Sequence, residues 1–568
     1  MTTRKPLVQI SGTIQELASG DSLAGLAVGA DVQAYDADLT SIAGLTGTTG
    51  LLKKTAANTW SLDTSGYAPA TSGTSLLYGN GSGGFSNATV GTGLTFAGGT
   101  LSASSAGQSI QATASGSLSD GSKVIVNSDG TVSVVGTTVL ATPTVGSTVA
   151  FNSTGTNYTS AVYDPINAKV VIAYSIDSSY YGYVVVGTVS GTSISFGTPV
   201  VFNSSTTVYI SAVYDPINSK VVIAYRGTSN YGYAIVGTVS GTSISFGTPV
   251  TFISSTTAYI SAVYDSTNSK VVIAYYGTSE YGYAIVGTVS GTSISFGSAT
   301  TFNSTATTGI QAGYDSTNSK VVIAYGQGAS AYGTAIVGTV SGASISFGTP
   351  VTFNSAYTGT YKSVAYSPVY NKTVIAYLNS FNNGIAIVGT VSGTSISFGT
   401  PATYAAGNSS SPNITYDPFA QQLMLAYELY NQSNVTICTI SGTSISFSTP
   451  VVFLSGTPNQ LSVAYDTNKL KMVIAYRAPT TGYGTTTIVS TVVSNLSATN
   501  FIGISNGAYT NGQTATVQII GAVDDAQSGL TAAQAYYVQA NGTISTTPDS
   551  PSVFAGTAIS ATKLIVKG

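Results

Sequence analysis

"VVIAYRGTSNYGYAIVGTVSGTSISFG" occupies residues 221–247, and "VVIAYYGTSEYGYAIVGTVSGTSISFG" occupies residues 271–297. The two copies differ at two places only, Arg226 against Tyr276 and Asn230 against Glu280. Each holds two runs, Val-Val-Ile-Ala-Tyr and Ala-Ile-Val-Gly-Thr-Val, whose β-branched and aromatic residues suit strands. The residues between and after them are Gly, Ser, Thr and Asn, the chemistry of turns. Near-verbatim copying at a fixed distance marks one supersecondary unit built several times over.

The Ala-Tyr string recurs seven times, ending at Tyr174, Tyr225, Tyr275, Tyr325, Tyr377, Tyr427 and Tyr476, at intervals of 49 to 52 residues. Each unit reads as four short strands. In the second unit these are strand a, "YISAVYD" (209–215), strand b, "KVVIAY" (220–225), strand c, "YAIVGTVS" (233–240), and strand d, "SISFGTPVTF" (243–252). Four strands per unit of about 50 residues match the blades of a β-propeller. A β-solenoid, with shorter repeats and no four-strand meander, fits less well. The seventh unit stops after "TTTIVSTVV" (485–493) and has no strand d. An orphan, "TTVLATPTVGSTVAFNS" (137–153), precedes the first unit, and its tail resembles strand d. The expectation is an all-β, seven-bladed propeller closed by strand exchange, with residues 138–151 beside strand c of the seventh blade, which removes the open edges.

Composition narrows the function classes. Of 568 residues only 7% are charged, the net charge is −3, and no Lys/Arg cluster exists, so nucleic acid is not an expected partner. With no histidine and one cysteine, Cys438, an internal disulfide, His/Cys zinc sites and His-based catalysis are excluded. No cofactor or metal is expected. No run approaches about 18 apolar residues, so no membrane insertion is expected.

In a four-stranded meander the a–b and c–d loops open on one face and the b–c and d–a loops on the other. The c–d turn is almost constant, "SGTS" or "SGAS", whereas the b–c loops change: "SIDSSYYGY" (175–183), "RGTSNYGY" (226–233), "YGTSEYGY" (276–283), "GQGASAYGT" (326–334), "LNSFNNGI" (378–385), "ELYNQSNV" (428–435) and "RAPTTGYGT" (477–485). The d–a loops vary too. Rigid scaffolds with varied loops are a common recognition design. Aromatic faces among neutral hydrogen bonders suit glycans, and the same mixture suits proteins. The candidate receptor-binding residues are Tyr180, Tyr181, Arg226, Asn230, Tyr231, Tyr276, Glu280, Tyr281, Tyr332, Phe381, Glu428, Tyr430 and Arg477. The competing explanation is drift of loops that packing does not restrain.

Glycoside hydrolysis usually takes a pair of carboxylates. Asp164, Asp215, Asp265, Asp315, Asp417 and Asp466 share one position after strand a, on the less variable face and around the rim of the disc, where turn capping explains them. The remaining loop acids, Asp177, Glu280 and Glu428, sit in different b–c loops. No catalytic residue is assigned, and an enzyme is not expected.

The flanks differ from the repeats. "KPLVQISGTIQELASGD" (5–21), "YDADLTSIAGLTG" (35–47) and "GNGSGGFSNATVGTGLTFAGGTLSAS" (79–104) resemble the virion-proximal and shaft segments of bacteriophage tail-fibre proteins. The repeat array also resembles repeats of phage structural proteins. The resemblance implies a homotrimeric fibre on the virion. Phage tail or baseplate proteins would hold its N-terminus, and a tip would recognise a host surface glycan or outer-surface protein. The expected parts are a virion-attachment segment (1–30), trimeric shaft modules (31–106) with a short helix near Leu39, Ile42 and Ala43, the first half of a split β-domain (107–136), the propeller (137–493), and the second half of the split domain (494–568). The alternatives are a tailspike-type hydrolase that degrades surface polysaccharide and a structural spacer or virion decoration.

Overall fold

The computed structural model describes residues 109–567 and, nearer the N-terminus, residue 45 and eight short strands. Those eight pair as four antiparallel hairpins: Leu7–Ile10 with Thr13–Glu16, Leu51–Ala56 with Thr59–Asp63, Leu76–Gly79 with Phe85–Ala88, and Leu94–Ala97 with Thr100–Ala103. The helix expected near Leu39 lies outside the described residues. Contacts divide the chain into two compact units, 1–110 with 518–523, and 111–517 with 524–568. The repeats lie in the second.

Each repeat is an antiparallel sheet. In the second repeat strand a is Val208–Asp215, strand b Lys220–Arg226 and strand c Gly232–Ser240. The expected strand d is two pieces, Ser243–Phe246 and Val250–Ile253, and both pair with strand c. Gly247, Thr248 and Pro249 divide them; Gly297, Ser298 and Ala299 divide the third repeat in the same way, so the break does not depend on the proline, and a Cβ on Gly247 would run into the Thr292 carbonyl of the next repeat.

Strand b is buried on both faces, and its period of two decides where each side chain goes. Val221, Ile223 and Tyr225 pack with Val171, Ala173 and Val184 of the first repeat, while Val222 and Ala224 pack with Val271 and Ile273 of the third. Larger side chains on one face thus meet Ala and Val on the next sheet. Full burial of each Val or Ile contributes roughly 1.5–3 kcal/mol.

The Gly of Tyr-Gly-Tyr has a packing reason. The Phe252 ring covers Gly232, and a Cβ there would run into it. Phe252 also packs on Tyr275 of the third repeat, with ring centroids 5.4 Å apart. The same contact joins Phe202 to Tyr225, Phe302 to Tyr325, Phe353 to Tyr377, Tyr404 to Tyr427 and Phe453 to Tyr476. Phe151, which precedes the first repeat, packs on Tyr174 at 5.1 Å and covers Gly484 of the seventh.

Phe151 lies in one long bulged strand, Thr137–Asp164. Its first part pairs with Tyr483–Ser494, with Thr138 opposite Val493 and Ala150 opposite Thr485. Its last part pairs with Lys169–Ile176 as strand a of the first repeat. Strand a of each repeat touches strand a of the next, and that of the seventh touches that of the first. Strand a is therefore the innermost strand of a propeller-like array.

That placement corrects the reading of the aspartates, which are not at a rim. Asp164, Asp215, Asp265, Asp315, Asp417 and Asp466 are all buried at the inner end of the a–b turn. The Asp215 Oδ1 accepts from the Ile217 and Asn218 N–H groups, and its Oδ2 accepts from the Asn218 amide. The turn-capping role is as the sequence suggests.

Residues on either side of the repeats meet. Lys123–Val126 pairs with both Val132–Val134 and Phe501–Ser505. A further small sheet contains Ala535–Val538, Val553–Ala558 and Leu564–Val566. The loop before Val553 meets two turns of the repeats: Lys469, in the a–b turn of the seventh, pairs with Asp549 at 3.4 Å, and Gly191, in the c–d turn of the first, lies against Ser550.

Candidate functional site

The b–c and d–a loops open on the face opposite those contacts. Several d–a loops are tied down locally: the amides of Asn152, Asn203 and Asn303 each donate to the hydroxyl four residues on, Thr156, Thr207 and Thr307, at 2.7 Å. Among the b–c loops, the second and third copies form single 3-10 turns, Thr228–Asn230 and Thr278–Glu280. Asn230 and Glu280 are exposed there with left-handed backbones (φ 59° and 64°), so the second position at which the copies differ points to solvent.

The candidate residues separate into three groups. Phe381 (78% exposed), Tyr430 (58%), Tyr180, Tyr181 and Tyr332 stand open on the face. Tyr231 and Tyr281 are half-buried; Tyr231 helps Thr251, Phe252 and Ile253 line one shallow cleft, of about 480 Å³. Tyr430 lines another, of about 370 Å³, with Asn431, Gln432 and Ser455.

The second group is engaged within the protein. Arg477 forms an ion pair with Asp177 of the first repeat at 2.7 Å and donates to the Asn157 side chain at 2.8 Å. Glu428 is 4% exposed, so it does not contribute to the open surface. The Ser410 hydroxyl donates to it, and burial raises its carboxyl pKa.

The third group is a cluster that the sequence reading did not assemble. Strand a carries a β-bulge at its start in most repeats, seen as a register shift between Val208 and Ser211 and again between Ala258 and Ser261. The bulged residue has a left-handed backbone: Tyr158 (φ 51°), Tyr209 (53°), Tyr259 (47°), Gly309 (53°), Ser411 (48°) and Gln460 (63°). A bulge re-aims a side chain, and here neighbouring rings meet across repeats. Tyr158 lies 5.4 Å from Tyr209, and Tyr209 lies 5.6 Å from Tyr259.

The first of the two differing positions joins this row. The Arg226 guanidinium sits 4.8 Å over the Tyr209 ring, and Tyr276 packs edge-on against Tyr259 at 6.1 Å. A left-handed non-glycine costs on the order of 1–3 kcal/mol. Glycine, serine and glutamine fill the same place elsewhere, so the fold does not demand an aromatic there. Tyr158, Tyr259 and Tyr276 have hydroxyl pKa values raised by burial first, which keeps them neutral hydrogen bonders. The arrangement offers aromatic faces, neutral hydroxyls and one cation over a ring.

In the fifth repeat Lys362 takes the place that Ile210, Ile260 and Ile310 hold elsewhere. It is 3% exposed and donates to the Gly359 carbonyl at 2.8 Å, and burial lowers its pKa to about 7. Among the described residues no group of three or more His, Cys, Asp and Glu side chains is placed to hold a metal, and no helix is long and apolar enough to cross a membrane.

No protein-family profile and no curated protein matches the chain. Solved structures do. The SapL1 lectin in complex with alpha methyl fucoside is similar at 14% identity and a TM-score of 0.35, over 54% of this chain and 98% of that one. A triple mutant of AofleA from Arthrobotrys oligospora is similar at 12% and 0.37, over 58% and 96%. A chain of the mitotic checkpoint complex is similar at 11% and 0.41, over 61% and 93%. With every TM-score below 0.5, none of the three says what this chain binds.

Proposed function

We propose that the chain is a phage tail fibre or a closely related receptor-binding protein. In this reading the seven repeats close into a seven-bladed propeller inserted in a split β-domain. The N-terminal segment attaches to the virion, the shaft is trimeric, and the propeller recognises the bacterial surface. The observation that carries it is the opposition of two faces. A flanking loop meets the a–b turn of the seventh repeat and the c–d turn of the first through Asp549 and Ser550, while among the described residues Phe381, Tyr430 and Tyr180 stand exposed in the b–c loops on the other side. A head carried on a stalk presents its free face to a partner.

Phe381, Tyr430, Tyr180 and Tyr332 supply exposed aromatic surface on that face, among Asn, Ser and Thr hydrogen bonders. Such a surface suits a glycan. Three heads on one fibre would raise avidity without any one tight site. The test replaces Tyr180, Phe381 and Tyr430 by alanine together and measures adsorption to intact host cells. A drop of tenfold or more is expected. Unchanged adsorption contradicts the reading.

A further inference from the structure

The geometry points to an acidic-sugar subsite at the inner end of the variable face, built by Tyr158, Tyr209, Tyr259 and Arg226; it rests on the reading of that face as the recognition surface. The three rings pack partly against the cores between repeats, but the bulge itself does not require them. The same bulged position is Gly309, Ser411 and Gln460 in other repeats, and all six residues share the left-handed backbone. Tyrosine is the least comfortable of these residues in that conformation, yet three consecutive repeats carry it and their rings touch in sequence.

Arg226 gives the site its charge preference. Its guanidinium lies over the Tyr209 ring, 4.8 Å from the ring centroid. Among the described residues it has no carboxylate partner within ion-pair distance, and its Nε is buried without a hydrogen-bond partner. The other loop arginine, Arg477, is already paired with Asp177. A guanidinium with unpaired terminal N–H donors binds a carboxylate in a two-pronged geometry that an ammonium cannot match. A pyranose ring presents a face of weakly positive C–H groups, which packs on the negative face of an aromatic ring. Tyr209 holds the cation, while Tyr158 and Tyr259 flank it. A sugar ring bearing a carboxylate satisfies both elements at once.

The test uses the full-length protein and saturation-transfer NMR with glucuronate, galacturonate and N-acetylneuraminate, against glucose and N-acetylglucosamine. At least one acidic sugar is expected to bind at least fivefold better than the neutral ones. Arg226→Gln is expected to remove that preference. Tyr209→Gly places at this position the residue that the fourth repeat already carries, so it is expected to stay folded while losing acidic-sugar binding. Absence of acidic-sugar binding to the unaltered protein, or an unchanged preference in Arg226→Gln, overturns the subsite.

Adsorption to host cells is measured alongside. If acidic sugars fail to bind while the Tyr180, Phe381 and Tyr430 triple variant still loses adsorption, the subsite falls and the recognition face stands. If the subsite binds but neither set of variants affects adsorption, the recognition role falls and the sugar site stands.

Discussion

The Oγ of Ser462, in the seventh repeat, accepts a hydrogen bond from the Ala161 N–H of the first at 2.7 Å. Ser160 does the same for Ala212, Ser211 for Ala262, Ser261 for Ala312 and Ser363 for Ile414. A side chain on strand a of one repeat thus satisfies a backbone donor on strand a of the next, and the series returns from the last repeat to the first. Ser462→Ala leaves the Ala161 N–H without its partner and is expected to cost about 1–3 kcal/mol. Ser211→Ala is expected to cost the same. Urea unfolding of both variants checks this; a much smaller loss for Ser462→Ala than for Ser211→Ala speaks against closure.

Phe151 provides a larger lever on the same question. It covers Gly484 and packs on Tyr174, so Phe151→Ala removes a ring that joins the seventh repeat to the first. The expected loss is roughly 3–5 kcal/mol, comparable to that of Phe252→Ala. A frayed end would lose much less.

Lys362 makes stability depend on pH. Burial lowers its pKa to about 7 in the folded chain, whereas the unfolded chain titrates near the ordinary lysine value of 10.5. Between these values the unfolded state binds more protons, so this group makes the protein more stable as pH rises from about 7 towards 10. The buried tyrosines, including Tyr214 and Tyr377 with hydroxyls pushed up to about 12, act in the opposite direction, but only above about pH 10. Lys362→Ile installs the residue of the neighbouring repeats. It is expected to flatten the slope between pH 7 and 9 and to stabilise the protein near pH 7 by on the order of a few kcal/mol, partly offset because the Gly359 carbonyl loses its donor. Thermal midpoints across pH 6–9 check both.

The turn aspartates are structural. Asp215→Ala removes the acceptor of two backbone N–H groups and of the Asn218 amide. The expected cost is about 1–3 kcal/mol, read as a lower denaturant midpoint. The fifth repeat already lacks this carboxylate: Ser367 stands there, buried, with an Oγ that has no partner.

Much of the repeat was legible because the apolar run ending in Ala-Tyr returns at intervals of 49 to 52 residues and turn residues punctuate every hairpin. The split of strand d was legible too, in the Gly-Thr-Pro that interrupts it, but read as continuous it hid two strands. Two parts of the site escaped for different reasons. Glu428 follows Ala-Tyr in the same register as Arg226, and register alone does not tell which such side chain a neighbouring Ser410 will bury. Tyr158, Tyr209 and Tyr259 looked like ordinary strand residues, because a bulge shifts pairing without leaving a composition signal. A faint signal exists in the replacement of that tyrosine by Gly309, Ser411 and Gln460 within otherwise similar segments. Most of residues 1–108 lies outside the described structure, so the attachment segment and shaft rest on sequence resemblance.

The central claim is that the face bearing the b–c and d–a loops binds the bacterial surface. The most direct measurement is binding of fluorescently labelled full-length protein to intact host cells, with purified surface glycan as competitor and the Tyr180, Phe381 and Tyr430 triple alanine variant beside it. The account predicts saturable binding that the glycan competes away and that the variant loses. Equal binding by the variant, or binding indifferent to the glycan, would contradict it.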